Sequence, residues 1–161
     1  MLRRNLLATV ATLAATATGL MAFAGSASAQ PAADVEAVRA ANAAFYTALS
    51  ARDVKKMEAV WANKPYVVNM GPRMKTFAVG HDEAVAKWWP AAFEFFQELN
   101  VTMTPSQVQA NGKVAWVVGN ESATGVTKNG PVKFTTFVTN IFEKEGDRWL
   151  MVSHHAQPIP Q

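Results

Sequence analysis

Cysteine is absent from the 161-residue chain, which excludes disulfides and a thiol nucleophile. The sequence also lacks a glycine-rich phosphate loop and a serine in a nucleophile-elbow motif. Neither a nucleotide cofactor nor covalent catalysis therefore has support. We predict a protein that uses no cofactor and that withstands an oxidising compartment without disulfides.

Clusters of basic residues are missing as well. The chain has 15 basic and 12 acidic residues, a formal net charge of +3. If Arg3 and Arg4 leave with a signal peptide, the net charge becomes 13 − 12 = +1. The other basic residues are scattered, whereas a phosphate-binding surface needs them clustered. We expect neither nucleic acid nor an anionic membrane as a partner.

Histidine is scarce, with only three in the chain: His81, His154 and His155. Adjacent residues on a regular strand point to opposite faces, so His154 and His155 cannot hold one metal ion together. A three-histidine site would need a bulge that also brings His81 close. We therefore predict no metal site.

A long, strongly apolar run is missing too. The run from Leu6 to Ala24 follows Arg3 and Arg4, is rich in alanine and threonine, and contains Gly19. Behind it, Ala27-Ser28-Ala29 has the small residues that a signal peptidase cuts. A membrane anchor normally needs about 20 strongly apolar residues, so a cleaved signal fits better than an anchor.

The predicted boundaries follow from this pattern. We assign residues 1–29 to a signal peptide and residues 30–161 to one domain, and we expect an exported protein, periplasmic or secreted. Arg3-Arg4-Asn5-Leu6-Leu7 resembles the core of a twin-arginine signal. The general secretory route stays open as the alternative.

The first half of the domain has helical patterns. Val35, Val38, Phe45 and Leu49 recur at helical spacing after Asp34, and a second short helix is expected from Asp53 to Trp61. Residues 66–70 then predict a strand, with residues 75–79 returning antiparallel to it after Gly71-Pro72.

A third helix is expected to open at His81-Asp82-Glu83. Its apolar residues follow helical spacing: Val85, Trp88, Trp89, Ala92, Phe93 and Phe96. Pro90 lacks an N–H for the carbonyl of Ala86, so we expect a kink or break near residues 87–89. These aromatic side chains either form core or line part of a cavity.

From Val101 to His155 the pattern changes to strands. Asn111-Gly112 and Asn129-Gly130 predict hairpins between four runs, the last of which ends near His155. We predict an α+β fold in which three N-terminal helices pack on a curved, mainly antiparallel sheet, a cone-shaped α+β barrel.

The strand from Val132 to Lys144 is apolar on both faces. Phe134, Val138 and Phe142 lie on one face, and Phe137 and Ile141 lie on the other. Such a strand is covered on both sides, and three helices cover only one. We therefore expect a homodimer through the open sheet face.

Three short motifs resemble the nuclear transport factor 2-like superfamily, specifically its SnoaL-like members. Ala51-Arg52-Asp53 opens the second helix, Gly80-His81-Asp82-Glu83-Ala84 opens the third, and the chain from Asp147 to His155 reads DRWLMVSHH. The last run is similar to the family ending Gly-x-Trp-x-Ile-Val-His-x-His. Asp147 occupies the position of the family's glycine, and Ser153 occupies the position of its first histidine.

This resemblance covers residues 35–155 and implies a ketosteroid-isomerase-like cone with an apolar pocket, usually dimeric. It implies no single activity, because relatives include isomerases, cyclases, dehydratases, epoxide hydrolases and non-catalytic modules. His155 matches the second histidine of the ending and is our candidate general acid or base. The strand pattern alone leaves open which of His154 and His155 faces the pocket.

Glu121 is the second catalytic candidate, because it lies on an otherwise apolar strand face with Val117 and Ala123. A glutamate beside an apolar cavity can remove a proton next to a carbonyl. An exposed glutamate near the strand end is the alternative. Five residues are candidates for the pocket wall, with plain packing as the alternative for each: Tyr46, Trp61, Tyr66, Asn69 and Trp88.

Two functions stay open on the sequence. The first is an exported protein that binds a small apolar or amphipathic molecule, with cofactor-independent acid–base catalysis by His155 and Glu121. The second is a non-catalytic dimeric binding or interaction module whose interior is filled by its own aromatic side chains. The sequence does not identify the ligand.

Overall fold

The computed structural model describes residues 32–159, so the predicted signal peptide lies outside the described residues. The helical segments are α1 (Ala32–Ala51), α2 (Val54–Val60) and a π-helical segment (Asp82–Lys87) that continues into α3 (Trp88–Phe95). Asp53 caps α2, since its side chain accepts from the Lys56 amide at 3.0 Å. No helix within residues 32–159 is both long and apolar enough to cross a membrane.

Six strands form one mixed sheet. They are β1 (Val68–Met70), β2 (Ala78–Val79), β3 (Phe96–Ala110), β4 (Val114–Thr127), β5 (Gly130–Glu145) and β6 (Arg148–Pro158). The order across the sheet is β2-β1-β6-β5-β4-β3, and every pair is antiparallel except β1 with β6. The α+β class is confirmed.

The third helix changes type where the sequence predicts an interruption. The π-helical segment ends at Lys87, shortly before Pro90, whose ring nitrogen cannot donate a hydrogen bond. The helix then ends at Phe95, and strand β3 begins directly at Phe96. The expectation that the strand starts at Val101 and that Phe96 closes the helical stripe was therefore wrong.

The pairing of strand β3 with its neighbour β4 is irregular at two places. The pairing shifts register between Phe96 and Glu98 and again between Pro105 and Gln107. Gly119 of β4 lies beside the second shift, where a Cβ atom would meet the Thr104 carbonyl oxygen at 2.2 Å. Bulges of this kind bend and twist a sheet, so they supply curvature on the side where α1 packs.

The sheet has two different faces, as the alternation in β4 and β5 predicts. On β4 the inner residues are buried, including Val117, Glu121 and Ala123, while Trp116 is 38% exposed. On β5 Val138 and Phe142 are buried, while Phe137 is 53% exposed. The helices cover the inner face, and the outer face stays open in the single chain.

Candidate functional site

A cavity of about 430 Å³ lies between the third helix and the inner sheet face. Most of its wall is apolar, and aromatic side chains provide much of it: Trp88, Trp89, Phe93, Phe95, Phe96 and Phe134. Two buried polar side chains, Glu121 and His154, also line it. An apolar pocket of this size with a few convergent polar groups is typical of a small-molecule site.

The sheet register aligns the polar groups of the inner face. Asn69, His154 and Asn140 are paired across β1, β6 and β5. Glu121 of β4 is paired with Thr136 of β5, four residues along β5 from Asn140. All five side chains are buried. Polar groups in such a place need partners, since an unpaired buried group costs about 1–3 kcal/mol.

Glu121 accepts a hydrogen bond at each carboxylate oxygen. The Tyr46 hydroxyl from α1 donates to Oε1 at 2.8 Å, and the Thr136 hydroxyl donates to Oε2 at 2.7 Å. Each oxygen can accept a second bond. The carboxylate is therefore held in place on both sides and still has acceptor capacity toward the cavity.

Asn140 joins the tyrosine to the histidine. Its Nδ2 donates to Asn42 Oδ1 at 2.8 Å and to the Tyr46 hydroxyl at 3.2 Å. Its Oδ1 lies 2.8 Å from His154 Nδ1. Since that oxygen can only accept, Nδ1 carries the proton and donates it. In the neutral ring Nε2 then has a free lone pair and no hydrogen-bond partner among residues 32–159.

The surroundings keep His154 neutral. Burial lowers the pKa of the ring, the negative charge of Glu121 opposes that effect, and His155 adds to the lowering. The ring also packs against Phe45, with centroids 4.9 Å apart. Burial together with the charge of Glu121 raises the pKa of Tyr46, so its hydroxyl stays protonated and donates. The site thus presents one carboxylate and one imidazole lone pair.

The two groups suit proton transfer within an apolar space. Glu121 can take a proton from carbon or oxygen, and Nε2 of His154 can accept or relay one. Among residues 32–159, no cluster of three or more histidine, aspartate or glutamate side chains could hold a metal ion. The residues at the cavity by themselves support acid–base chemistry.

His155 is not at the cavity, which corrects its placement from the family ending. It is exposed on the outer face, and its ring lies 6.0 Å from that of the exposed Phe77. His154 occupies the inner position instead. The neighbours carry a signal for this: Val152 and Ala156 share the inner face with His154, while the polar Ser153 and Gln157 share the outer face with His155.

Of the five predicted wall residues, only Trp88 lines the 430 Å³ cavity. Trp61 is buried against Phe45, with ring centroids 6.4 Å apart. Asn69 is fully buried and donates to the Ala84 carbonyl at 3.2 Å. Tyr66 is half exposed and donates to Glu143. The structure therefore places Trp61, Asn69 and Tyr66 away from the cavity.

Tyr46 contributes to a different space. It lines an open groove of about 790 Å³ between α1 and β3, together with Arg39, Asn42 and Ser50. Its hydroxyl donates a hydrogen bond to Glu121, which lines the 430 Å³ cavity. Tyr46 is thus a support for the carboxylate of the cavity.

Several site residues were missed from the sequence. Thr136 and Asn140 share a face of β5 with Phe134, Val138 and Phe142, so the alternation could have identified them as inner residues. Nothing local marks Arg73, which lies in the β1–β2 loop and lines the cavity.

Residues 38–160 match the SnoaL-like domain. The chain belongs to the SnoaL-like family. This confirms the resemblance read from the motifs, including membership of the nuclear transport factor 2-like superfamily. A curated relative, the F-box protein SKIP8 of Arabidopsis thaliana, is 26% identical over 124 residues, which cover 77% of this chain and 50% of that protein. The chain spans about half the length of that relative.

Several solved structures share the fold of this chain. A candidate dehydratase of the same superfamily from Streptomyces avermitilis is 24% identical, with a TM-score of 0.73 over 81% of this chain and 100% of that one. A ketosteroid isomerase-like protein from Erwinia carotovora is 21% identical, with a TM-score of 0.68 over 80% and 98%.

A third solved structure shows a different type of relative. The candidate association domain of a calcium/calmodulin-dependent protein kinase type II from Thiobacillus denitrificans is 29% identical, with a TM-score of 0.66 over 76% of this chain and 94% of that one. The similar structures therefore carry the names of both enzymes and an association domain.

Proposed function

We propose that this SnoaL-like protein is exported and binds a small, largely apolar molecule in the 430 Å³ cavity. There it performs acid–base catalysis without a cofactor, of the isomerase, cyclase, dehydratase or hydrolase type. One observation carries the proposal: buried Glu121 and His154 both line the same apolar cavity. On this proposal the helices close the curved sheet into a cone around the cavity.

The proposed chemistry starts from Glu121. Its carboxylate removes a proton next to a carbonyl group or from a hydroxyl, and the donors Tyr46 and Thr136 hold its oxygens in position. The aromatic walls exclude water, which strengthens electrostatic interactions in the site. His154 acts through Nε2 as a second proton acceptor or relay, replacing His155 in that role.

Hydrogen exchange on a simple ketone tests this chemistry without knowledge of the natural substrate. 2-Tetralone fits an aromatic cavity and has acidic protons beside its carbonyl. We expect the protein to accelerate their exchange for deuterium in D₂O, measured by proton NMR. Glu121→Gln should reduce that acceleration at least about tenfold, because it replaces the base with a neutral amide.

A matched variant distinguishes an effect at the cavity from a general effect of replacing a glutamate by glutamine. Glu143→Gln makes the same change at a residue that contacts Tyr66 on the far side of the sheet, and it should exchange like the wild type. Equal rates in all three proteins and in buffer, for ketones that bind, would reject the catalytic proposal. If the ketone binds to the wild type and does not bind to Glu121→Gln, that result would still support the cavity as a binding site.

A non-catalytic dimeric module is the second candidate, and the outer sheet face supports it. Trp116 is 38% exposed and Phe137 is 53% exposed there, on neighbouring strands. Exposed aromatic side chains on one face are typical of an interface. We propose that a second copy covers this face in a homodimer.

Light scattering at micromolar concentration tests the dimer. The wild type should have twice the chain mass, and Phe137→Lys should shift it toward the monomer. Ala44→Lys, which adds the same charge at an exposed position of helix α1, serves as the control. A monomeric wild type would reject the homodimer and leave the cavity proposal standing.

Export is proposed from residues 1–29. Mass spectrometry of the protein expressed in a bacterial host should find Gln30 as the first residue of the periplasmic or secreted form. An intact N-terminus in the cytoplasm would reject export.

A further inference from the structure

The cavity differs in charge at its two ends. Glu121 and His154 lie in the interior, with relative exposures of 4% and 3%. Arg73, which is exposed, lines the cavity at its solvent side. Among the described residues that line the cavity, Glu121 is the acidic residue, and Arg73 is the residue of the lysine or arginine type.

Arg73 has no side-chain partner in the part of the chain that the structure describes. No ion pair or hydrogen bond joins its guanidinium to another side chain among residues 32–159. The other cation near a pocket, Arg39, pairs with Glu36 at 3.4 Å and lines the separate groove. A free guanidinium beside an apolar space is well suited to a carboxylate, because its donors match the two oxygens.

The interior end of the cavity favours a different kind of ligand group from the solvent side. Both Glu121 oxygens can accept a further hydrogen bond, and so can Nε2 of His154. An anion placed there would be repelled by the carboxylate and would lose its hydration, which is costly in a buried site. A hydrogen-bond donor such as a hydroxyl is favoured at this end.

The aromatic wall joins these two ends. Trp88 and Phe95 lie on α3, and Phe134 faces them from the sheet. Aromatic surfaces favour flat ligands, which they contact through stacked or edge-to-face arrangements. We therefore expect a flat ring system with a different polar group at each end to bind in one orientation.

We propose that the cavity takes a flat aromatic or polycyclic molecule that has a carboxylate at one end and a hydroxyl or enol at the other. The carboxylate binds Arg73 at the solvent side, and the hydroxyl donates to Glu121 or His154 in the interior. This substrate class rests on the proposed small-molecule function of the same cavity.

Three related probes separate the two ends: 6-hydroxy-2-naphthoate, 2-naphthoate and 2-naphthol, each titrated by calorimetry. We expect the hydroxy acid to bind most tightly. Arg73→Gln should weaken both acids about threefold to tenfold, the range of a partly exposed ion pair, and leave 2-naphthol unchanged. Arg73→Lys keeps the charge and should retain most of the affinity.

Arg39→Gln is the matched control, because it removes an arginine at the other pocket. It should leave all three affinities unchanged. If the hydroxy acid binds no more tightly than 2-naphthol, or if Arg73→Gln weakens neither acid, the assigned substrate class is wrong and the cavity proposal stands. If none of the probes binds, the proposed small-molecule function fails together with it.

Discussion

His154 and His155 are adjacent in sequence and differ in almost every physical respect. His154 is buried beside Glu121, packs on Phe45 and donates to Asn140. His155 is exposed on the outer face beside Phe77. The two rings belong to the two faces of one strand, so the alternation of a β-strand separates an interior proton acceptor from a surface side chain.

The same contrast extends over the whole sheet. The inner face combines apolar side chains with polar ones, of which Glu121, Thr136, Asn140 and His154 are joined by hydrogen bonds through Tyr46 of α1. On the outer face, in contrast, the hydrogen bond from Tyr66 to Glu143 is exposed to solvent. The sheet face on which a residue lies therefore predicts its contribution to stability better than its residue type does. Matched pairs of equal residue type on the two faces test that statement.

The phenylalanines of β5 should show the largest difference. Phe142 is fully buried and Phe137 is 53% exposed. Phe142→Ala should lower the free energy of unfolding by about 3–5 kcal/mol because it leaves a cavity. Phe137→Ala should cost less than about 1 kcal/mol in the monomer. Urea denaturation of both variants, at concentrations at which the chain is monomeric, measures the difference, and equal losses would show that the two faces contribute equally to stability.

The two tyrosines should show a smaller difference in stability than the phenylalanines. Tyr46→Phe removes the donor to Glu121 and the acceptor for Asn140, so it should cost about 1–3 kcal/mol. Tyr66→Phe loses one exposed bond to Glu143 and should change stability by less than about 0.5 kcal/mol. The same denaturation experiment applies. A larger loss for Tyr66→Phe would show that the polar set of the inner face contributes little.

The histidines should differ in the pH dependence of stability. Burial lowers the pKa of folded His154, while the unfolded ring has an ordinary value near 6.5. The unfolded chain then binds more protons between these two values. Stability from this residue is fully present above about pH 6.5 and is lost as the pH falls toward the lowered value, by at most about 1.4 kcal/mol per pH unit.

Denaturation curves between pH 7.5 and 5 measure this effect. His154→Asn should flatten the pH dependence, because asparagine does not titrate and places an amide near the Nδ1 position. His155→Asn should change the pH dependence only slightly, because burial contributes most to the lowering of the His154 pKa and His155 the least. A slope that persists in His154→Asn would mean that another group is responsible.

Much of the fold follows from local patterns in the sequence. The hairpin turns and the alternation of Val117, Glu121 and Ala123 against Trp116 predict the strands and their faces. The start of β3 was missed because helix α3 leads directly into the strand at Phe96, without a glycine, proline or asparagine to mark the change. Helical spacing up to that residue concealed the transition.

The site was harder to predict because it depends on contacts between distant residues. Glu121 was recognised as a carboxylate on an apolar face, but Tyr46 reaches it from 75 positions away. Asn140 and Asn42 are 98 positions apart. Parallel pairing of β1 with β6, which aligns Asn69 with His154, has no local signal either. Motif similarity selected His155, although the apolar Ala156 and the polar Gln157 indicate that His154 is the inner residue, and the register of β6 places it there.

The tautomer of His154 decides whether Nε2 offers a lone pair to the cavity. Long-range proton–nitrogen NMR of the ¹⁵N-labelled protein at pH 7 distinguishes the two nitrogens of each ring. We predict a neutral His154 ring with its proton on Nδ1, donated to Asn140, and an unprotonated Nε2 that becomes charged only below pH 6.5. A proton on Nε2, or a charged ring at pH 7, would contradict the proposed site.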